Sequence, residues 1–247
     1  MQSADARVDG AALTQDARHG PLPLLLIVLT VVTGLVDAVS YLKLGHVFVA
    51  NMTGNVLFLG FAAADATQFS VAVSLVAMGS FLLGAVAGGR LGSSAGRHRG
   101  RFLALATYAQ VCVVGAALLV SLASADVGGG MLACTLVVLL AFAMGLQNAA
   151  ARRLGVPDLT TTVLTQTVTG LAADSNFAGG SNPNFGRRLL AIAAMLMGAA
   201  LGAVLIFHVS VSAALAVAVA LLLFNAVAGY RLSSSTAAWT AAKSAKP

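Results

Sequence analysis

The sequence predicts an all-α polytopic membrane protein: six transmembrane helices plus two short polar segments that are broken or re-entrant, in two inverted-topology repeats. Three observations predict it. The first is composition. Of 247 residues, 59% are hydrophobic and 9% are charged, with a mean hydropathy of +0.92. A soluble domain is about 25% charged, so too few polar residues are present to cover a globular surface. This excludes a soluble enzyme, and it excludes intrinsic disorder, which needs low hydrophobicity and high charge. The second is the length of the uncharged runs, 66–89, 102–125, 127–151 and 189–230. Roughly 20 residues cross a ~30 Å hydrocarbon core. The last run, of 42 residues, is long enough for two crossings that turn near His208–Ser212. A transmembrane β-barrel would instead show short alternating segments. The third is the placement of arginine and lysine, which decides the topology.

Taken in order, eight apolar segments can be marked: 22–43, 47–63, 70–91, 102–123, 130–151, 159–173, 188–207 and 211–230. Six are long enough to span. The second opens on Asn51-Met52-Thr53-Gly54-Asn55. The sixth carries Thr160, Thr161, Thr162, Thr165, Thr167 and Thr169 with Gln166 among them. Both are short and dense in hydrogen-bonding side chains. Basic groups lie at Arg90–Arg101, Arg152–Arg153, Arg187–Arg188 and Arg231–Lys246. If only the six long segments span and the N-terminus is inside, all four groups fall inside and Asp126 falls outside. The alternative is that 47–63 also spans, with the N-terminus outside. The preferred topology gives a polar tail over 1–20, a single membrane domain over 21–230 and a second cytoplasmic tail over 231–247. Cys112 and Cys134 sit inside apolar runs, which argues against a structural disulfide and supplies too few ligands for a metal. The sequence pI of about 10.0 follows from topology rather than from nucleic-acid binding, because no soluble domain carries the charge.

The two halves, 22–123 and 130–230, resemble each other. Gly34-Leu35-Val36-Asp37-Ala38 matches Gly145-Leu146-Gln147-Asn148-Ala149, and Leu44-Gly45 matches Leu154-Gly155. Thr53 and Val56 fall opposite Thr165 and Val168. Leu83-Gly84-Ala85-Val86 recurs as Leu201-Gly202-Ala203-Val204. Three true spans per unit force the second copy to enter from the opposite face. Interrupted segments in corresponding positions of inverted repeats point to a transporter site.

Thr33 to Tyr41, Ala50-Asn51-Met52-Thr53-Gly54-Asn55, Gly145 to Ala149 and the Thr-rich segment closely resemble the YoaK-like bacterial membrane proteins, a family defined by domain of unknown function 1275. The resemblance covers roughly residues 22–230. It implies a bacterial inner-membrane protein with about six spans, and it implies no activity or substrate. The family usually carries Thr-Gly where this chain has Thr165-Gln166.

The candidate site residues follow from depth and pairing. Asp37 is the only acid inside a long apolar segment, and an intramembrane carboxylate defaults to a functional hypothesis. It reads either as a proton or cation site or as half of an ion pair, with Lys43 or an arginine across the bundle. Ser40 and Tyr41 share its helical face, and Gln147 and Asn148 form a comparable stripe in the second half. Asn51, Thr53, Gly54 and Asn55, with Thr162, Thr165, Gln166 and Thr167, offer uncharged oxygen and amide ligands at two helix breaks. The competing reading is structural, since Ser, Asn, Gln and Thr also bond helix to helix. Gly84, Gly88, Gly92 and Gly96, with Gly198 and Gly202, read as close-packing positions. The chain contains no Glu and no HExxH, and the expectation is a non-enzyme without a cofactor. The expected partners are the lipid bilayer and a small polar solute or ion, and the sequence leaves room for a homo-oligomer. A membrane scaffold with purely structural polar segments is the alternative function.

Overall fold

A computed structural model describes residues 19–64, 69–95, 98–123, 129–159, 164–181 and 184–241. Its helices are α1 (Leu22–Lys43), α2 (Met52–Ala63), α3 (Val71–Ala95), α4 (Arg99–Leu122), α5 (Gly130–Leu154), α6 (Leu164–Ala173), α7 (Phe185–His208) and α8 (Val211–Leu232). Short 3-10 turns cover Asn176–Ala178 and Ala238–Thr240. Six helices, of 22 to 25 residues, are long and apolar enough to span a membrane, and they correspond to the six long segments of the sequence. At about 1.5 Å per residue they measure about 33–38 Å. Their outward faces stay apolar, as Leu82, Leu83 and Val86 on α3 or Leu196 and Val204 on α7 illustrate. A helix that is hydrophobic all round fits a lipid solvent and no aqueous one.

Glycine sets the two tightest helix pairs. α1 packs on α7, and α3 packs on α5. A Cβ on Gly34 would run into the Met195 carbonyl, and one on Gly198 into the Val31 carbonyl. One turn on, Gly202 faces Leu35 and Ala38. Both partners advance together, so α1 and α7 run parallel. The other pair repeats this detail by detail: Gly145 meets the Phe81 carbonyl, Gly84 meets the Phe142 carbonyl, and Gly88 faces Leu146 and Ala149. Small residues allow this approach, and dispersion between backbones then stabilises it where lipid removes the hydrophobic drive.

These contacts fix the register of the repeats. Gly34 corresponds to Gly145, as the sequence suggests. Gly84, however, corresponds to Gly198 and Gly88 to Gly202, so the Leu-Gly-Ala-Val match in the sequence is one helical turn out of register. The cause is compositional: small-xxx-small spacing repeats every four residues, so a slip of one turn still aligns glycine with glycine. α4 and α8 lie antiparallel between the pairs, with Gly100 against the Leu232 carbonyl at one end and the hydroxyls of Ser121 and Ser212 2.5 Å apart at the other. The repeats are therefore interlocked: the first long helix of each half packs on the third helix-pair position of the other.

Following these directions, α1, α4 and α7 begin at one end of the bundle, where α3, α5 and α8 finish. All eight described arginines (Arg90, Arg99, Arg101, Arg152, Arg153, Arg187, Arg188 and Arg231) lie at that end, and Lys43 lies at the other. The chain leaves α1 and enters α3 at the end carrying Lys43, and it leaves α5 and enters α7 at the arginine-rich end. Neither polar segment crosses, which removes the seven-span alternative. α2 lies along α3, and α6 along α7. Residues 233–241, read from composition as a tail, fold back on the start of α4: His98 Nε2 lies 2.8 Å from the Ser235 carbonyl, and His98 pairs with Ala241 in an isolated bridge. Ser, Ala and Thr disguise this contact in the sequence, because its partners are mostly backbone groups.

The glycine contacts yield a direct test. Gly198→Val places side-chain atoms on the Val31 carbonyl and is expected to destabilise by about 1–3 kcal/mol or block folding. Gly79 faces open space, so Gly79→Ala is expected to be neutral or stabilising by about 0.5–1 kcal/mol. Thermal unfolding in detergent measures both, and equal effects would refute the packing account.

Candidate functional site

At the end opposite the arginines, the chain leaves α1 through Gly45 (φ 95°) and His46 (φ 55°), two left-handed residues that reverse its direction. The following stretch, 47–51, is not helical, yet Val47, Val49 and Ala50 are buried. Buried backbone groups need partners, and the polar side chains of the first segment supply them. Asp37 is 5% exposed. Its Oδ1 accepts from the backbone N–H of Val49 at 3.0 Å and of Ala50 at 2.9 Å, and its Oδ2 accepts from Asn51 Nδ2 at 2.5 Å. Asn55, fully buried, closes the other side: its Oδ1 accepts from the Phe48 N–H at 2.9 Å and its Nδ2 donates to the Phe48 carbonyl at 2.6 Å. One carboxylate and one amide thus replace the helical hydrogen bonds that 48–51 lacks.

Aromatic rings brace the same stretch. Tyr41 stacks on Phe48 with centroids 5.0 Å apart, Phe48 on Phe58 at 5.7 Å, and Phe58 on Phe69 at 4.6 Å. Gly54 is required because a Cβ there would enter the Phe48 ring. Ser40 turns inward on its own helix, its Oγ donating to the Asp37 carbonyl at 3.1 Å. Thr53 is exposed. Of the first-half candidates, the fold therefore gathers Asp37, Asn51 and Asn55 into one network, places Tyr41 and Gly54 at its aromatic flank, and leaves Ser40 and Thr53 outside it. Lys43 is exposed, and none of the salt bridges among the described residues involves Asp37.

The second-half candidates divide further. Gln147 is fully buried at a three-helix junction: its Nε2 donates to Thr33 Oγ1 at 2.8 Å and to the Leu29 carbonyl at 3.2 Å, and its Oε1 accepts from Gln110 Nε2 at 2.8 Å. It ties α1, α4 and α5 together. Asn148, at the register position of Asp37, donates to the Met144 carbonyl at 3.0 Å. Thr167 is buried in α6, as Asn55 is at the matching position of α2, whereas Thr165 and Gln166 are exposed. Thr162 lies outside the described residues.

Sequence reasoning missed three groups. Gln110 is the one amide in the 102–125 run and is half of the buried Gln pair. Asn225 of α8 donates to the Leu25 carbonyl at 2.8 Å, while its own Oδ1 is buried without a hydrogen bond. Arg188 holds the second polar segment: it contacts Asp158 at 3.0 Å, Asp174 at 2.8 Å and the Gly170 carbonyl at 2.6 Å. Its partners are 14 to 30 positions away in the sequence, and charge spacing alone gave no sign of them.

This arrangement defines a class: a polytopic helical membrane protein in which two interlocked, inverted repeats each return a non-crossing polar segment into the bundle. The model for the family described as protein of unknown function, DUF1275, matches residues 25–228, and the chain belongs to that family. It is also 36% identical over 153 residues to the transmembrane protein YoaK of Bacillus subtilis (strain 168), a match covering 61% of this chain and 65% of that relative. No solved structure matches.

Two substitutions separate the roles of the Asp37 oxygens. Asp37→Ala strands three buried or half-buried donors and is expected to cost about 2–4 kcal/mol. Asp37→Asn keeps one acceptor and is expected to cost less than half of that. Detergent unfolding midpoints, with hydrogen exchange at 48–51, measure the difference. Equal stability of wild type and Asp37→Ala would show that the carboxylate does not hold the loop.

Proposed function

We propose that this protein is a secondary transporter or channel of the bacterial inner membrane that moves a small polar solute or ion, with its site between the two polar segments. The observation that carries the reading is the pairing: one re-entrant segment opens from each end of an interlocked inverted repeat. Non-helical backbone at membrane depth is tolerated where protein buries it or where it lines a cavity, and its occurrence in both halves favours a pathway over a local defect. The concentration of arginines at one end supports a cytoplasmic location for that end and for both termini. The protein acts here as a carrier and not as an enzyme.

Asp37 is the coupling group in this reading. Both of its oxygens accept from N–H donors, which leaves few lone pairs for a metal cation. Protonation would withdraw an acceptor from Val49, Ala50 or Asn51 and loosen the stretch ahead of α2. Asn51, Asn55, Asn148, Thr165, Gln166 and Thr167 are the candidate ligands. A scaffold role is the second reading, and it draws support from the same geometry: the hydrogen bonds of Asp37, Asn55 and Gln147 run to protein groups.

Two measurements test the proposal. A thermal-shift screen of purified protein against small polar solutes and inorganic ions is expected to give at least one stabilising compound. Flux of that compound in proteoliposomes is expected to fall to background in Asp37→Asn while the protein stays folded. Unchanged flux would remove Asp37 from the mechanism, and a stable protein partner with no solute response would favour the scaffold. Met52→Cys and Thr165→Cys, in a background with Cys112 and Cys134 replaced, are expected to label from opposite faces. Labelling from one face would end the inverted-access model.

A further inference from the structure

Asn225 of α8 holds an acceptor inside the bundle that the protein itself does not answer. Its side chain is fully buried. Nδ2 donates to the Leu25 carbonyl at 2.8 Å, while Oδ1 meets no hydrogen-bond donor among the described residues. Turning the amide over gives no relief, because two oxygens would then face each other. An unpaired buried amide oxygen is costly, and the cost is larger in a bundle whose outer solvent is hydrocarbon.

The backbone register shows what lies beside it. A Cβ on Gly229 would touch Ala104, and α4 and α8 run antiparallel. One turn further into the bundle, Asn225 therefore falls level with Thr107 of α4, which is also fully buried. Thr107 Oγ1 donates to the Leu103 carbonyl at 2.8 Å, so its proton is committed and its lone pairs can still accept. This layer thus presents Asn225 Oδ1, Thr107 Oγ1 and the Leu25 carbonyl as acceptors, and Leu25 already takes its amide donor.

The next layer differs. One turn along α1, the Leu29 carbonyl and Thr33 Oγ1 accept from Gln147 Nε2 at 3.2 and 2.8 Å, and Gln147 Oε1 accepts from Gln110, one turn from Thr107 on α4. Asp37 follows one turn after Thr33. Each turn of α1 from Leu25 to Asp37 therefore meets one polar contact, over about 18 Å. The glutamine layer is paired within the protein, and the Asn225 layer is not.

We propose that the Asn225 layer binds an internal water, which donates one hydrogen to Asn225 Oδ1 and the other to Thr107 Oγ1. Buried waters sit where otherwise unpaired polar groups converge. Water brings two donors in the smallest volume. The layer's acceptors are neutral and fewer than the about six or more oxygens that a hard divalent cation takes. The site stands on this geometry and does not depend on the transport reading. It places water on the same polar line as Asp37, about three turns away.

Solid-state NMR of the full-length protein in lipid bilayers tests the site without a known solute. Asparagine side chains carry 15N and leucine carbonyls carry 13C. Asn225 Nδ2 is picked out by its contact with the Leu25 carbonyl, since Asn51, Asn55 and Asn148 donate to Asp37, Phe48 and Met144 instead. Asn55 is the control in the same spectrum: it is equally buried, and its oxygen and nitrogen both pair with Phe48. Magnetisation from water protons is expected to reach Asn225 Nδ2 at least about threefold faster than Asn55 Nδ2, because the bound water touches the same amide group. Equal rates at the two amides would overturn the proposal. Thr107→Val removes the second partner and is expected to slow the transfer to Asn225 by about twofold or more. An unchanged rate in the folded variant would overturn it as well. If Thr107→Val does not fold, the wild-type comparison decides.

Discussion

The structure depends on one constraint: in a hydrocarbon solvent, each backbone N–H and C=O needs a partner within the protein. The six long helices meet it internally. The stretch from Val47 to Asn51 does not, and the chain solves this with the most expensive side chain available at that depth, the carboxylate of Asp37. Its oxygens take two backbone N–H groups and an amide, while Asn55 takes both polar groups of Phe48. Without these two side chains the direction reversal at Gly45 and His46 would leave four or more buried groups unpaired, and α2 would have no fixed starting point. A carboxylate at depth is thus explained first by the backbone it satisfies, and any functional use of it is built on that duty.

The interlocked packing turns this local solution into an architecture. Because α1 pairs with α7 and α5 with α3, each re-entrant segment is anchored on a helix whose closest neighbour belongs to the other half. The close glycine contacts make these pairs stiff, since backbones in contact cannot slide without losing dispersion along the whole interface.

The halves differ in how they hold their segments. At the end carrying Lys43, aromatic stacking from Tyr41 to Phe69 supplements Asp37. At the arginine-rich end, Arg188 gathers Asp158, Asp174 and the Gly170 carbonyl, and the register position of Asp37 is Asn148. The two ends of the bundle are thus held by different chemistry even though their backbones follow one plan.

The sequence by itself determined the solvent, the number of spans and the two places where helix gives way. Composition and uncharged run length depend only on the cost of placing charge in lipid, and that cost acts residue by residue. It also located Asp37, Asn51 and Asn55, because a polar residue in an apolar run stands out against its neighbours. The tertiary structure decided the register of the repeats, which helices pair, and what each polar side chain holds. Glycine spacing of four residues fits two alignments equally well, and only the carbonyls of Val31 and Phe142 select one. Gln110 with Gln147, Arg188 with Asp158, and Arg99 with Leu154 and Trp239 are contacts across long separations. No periodicity encodes them, because their geometry exists only after the helices have packed.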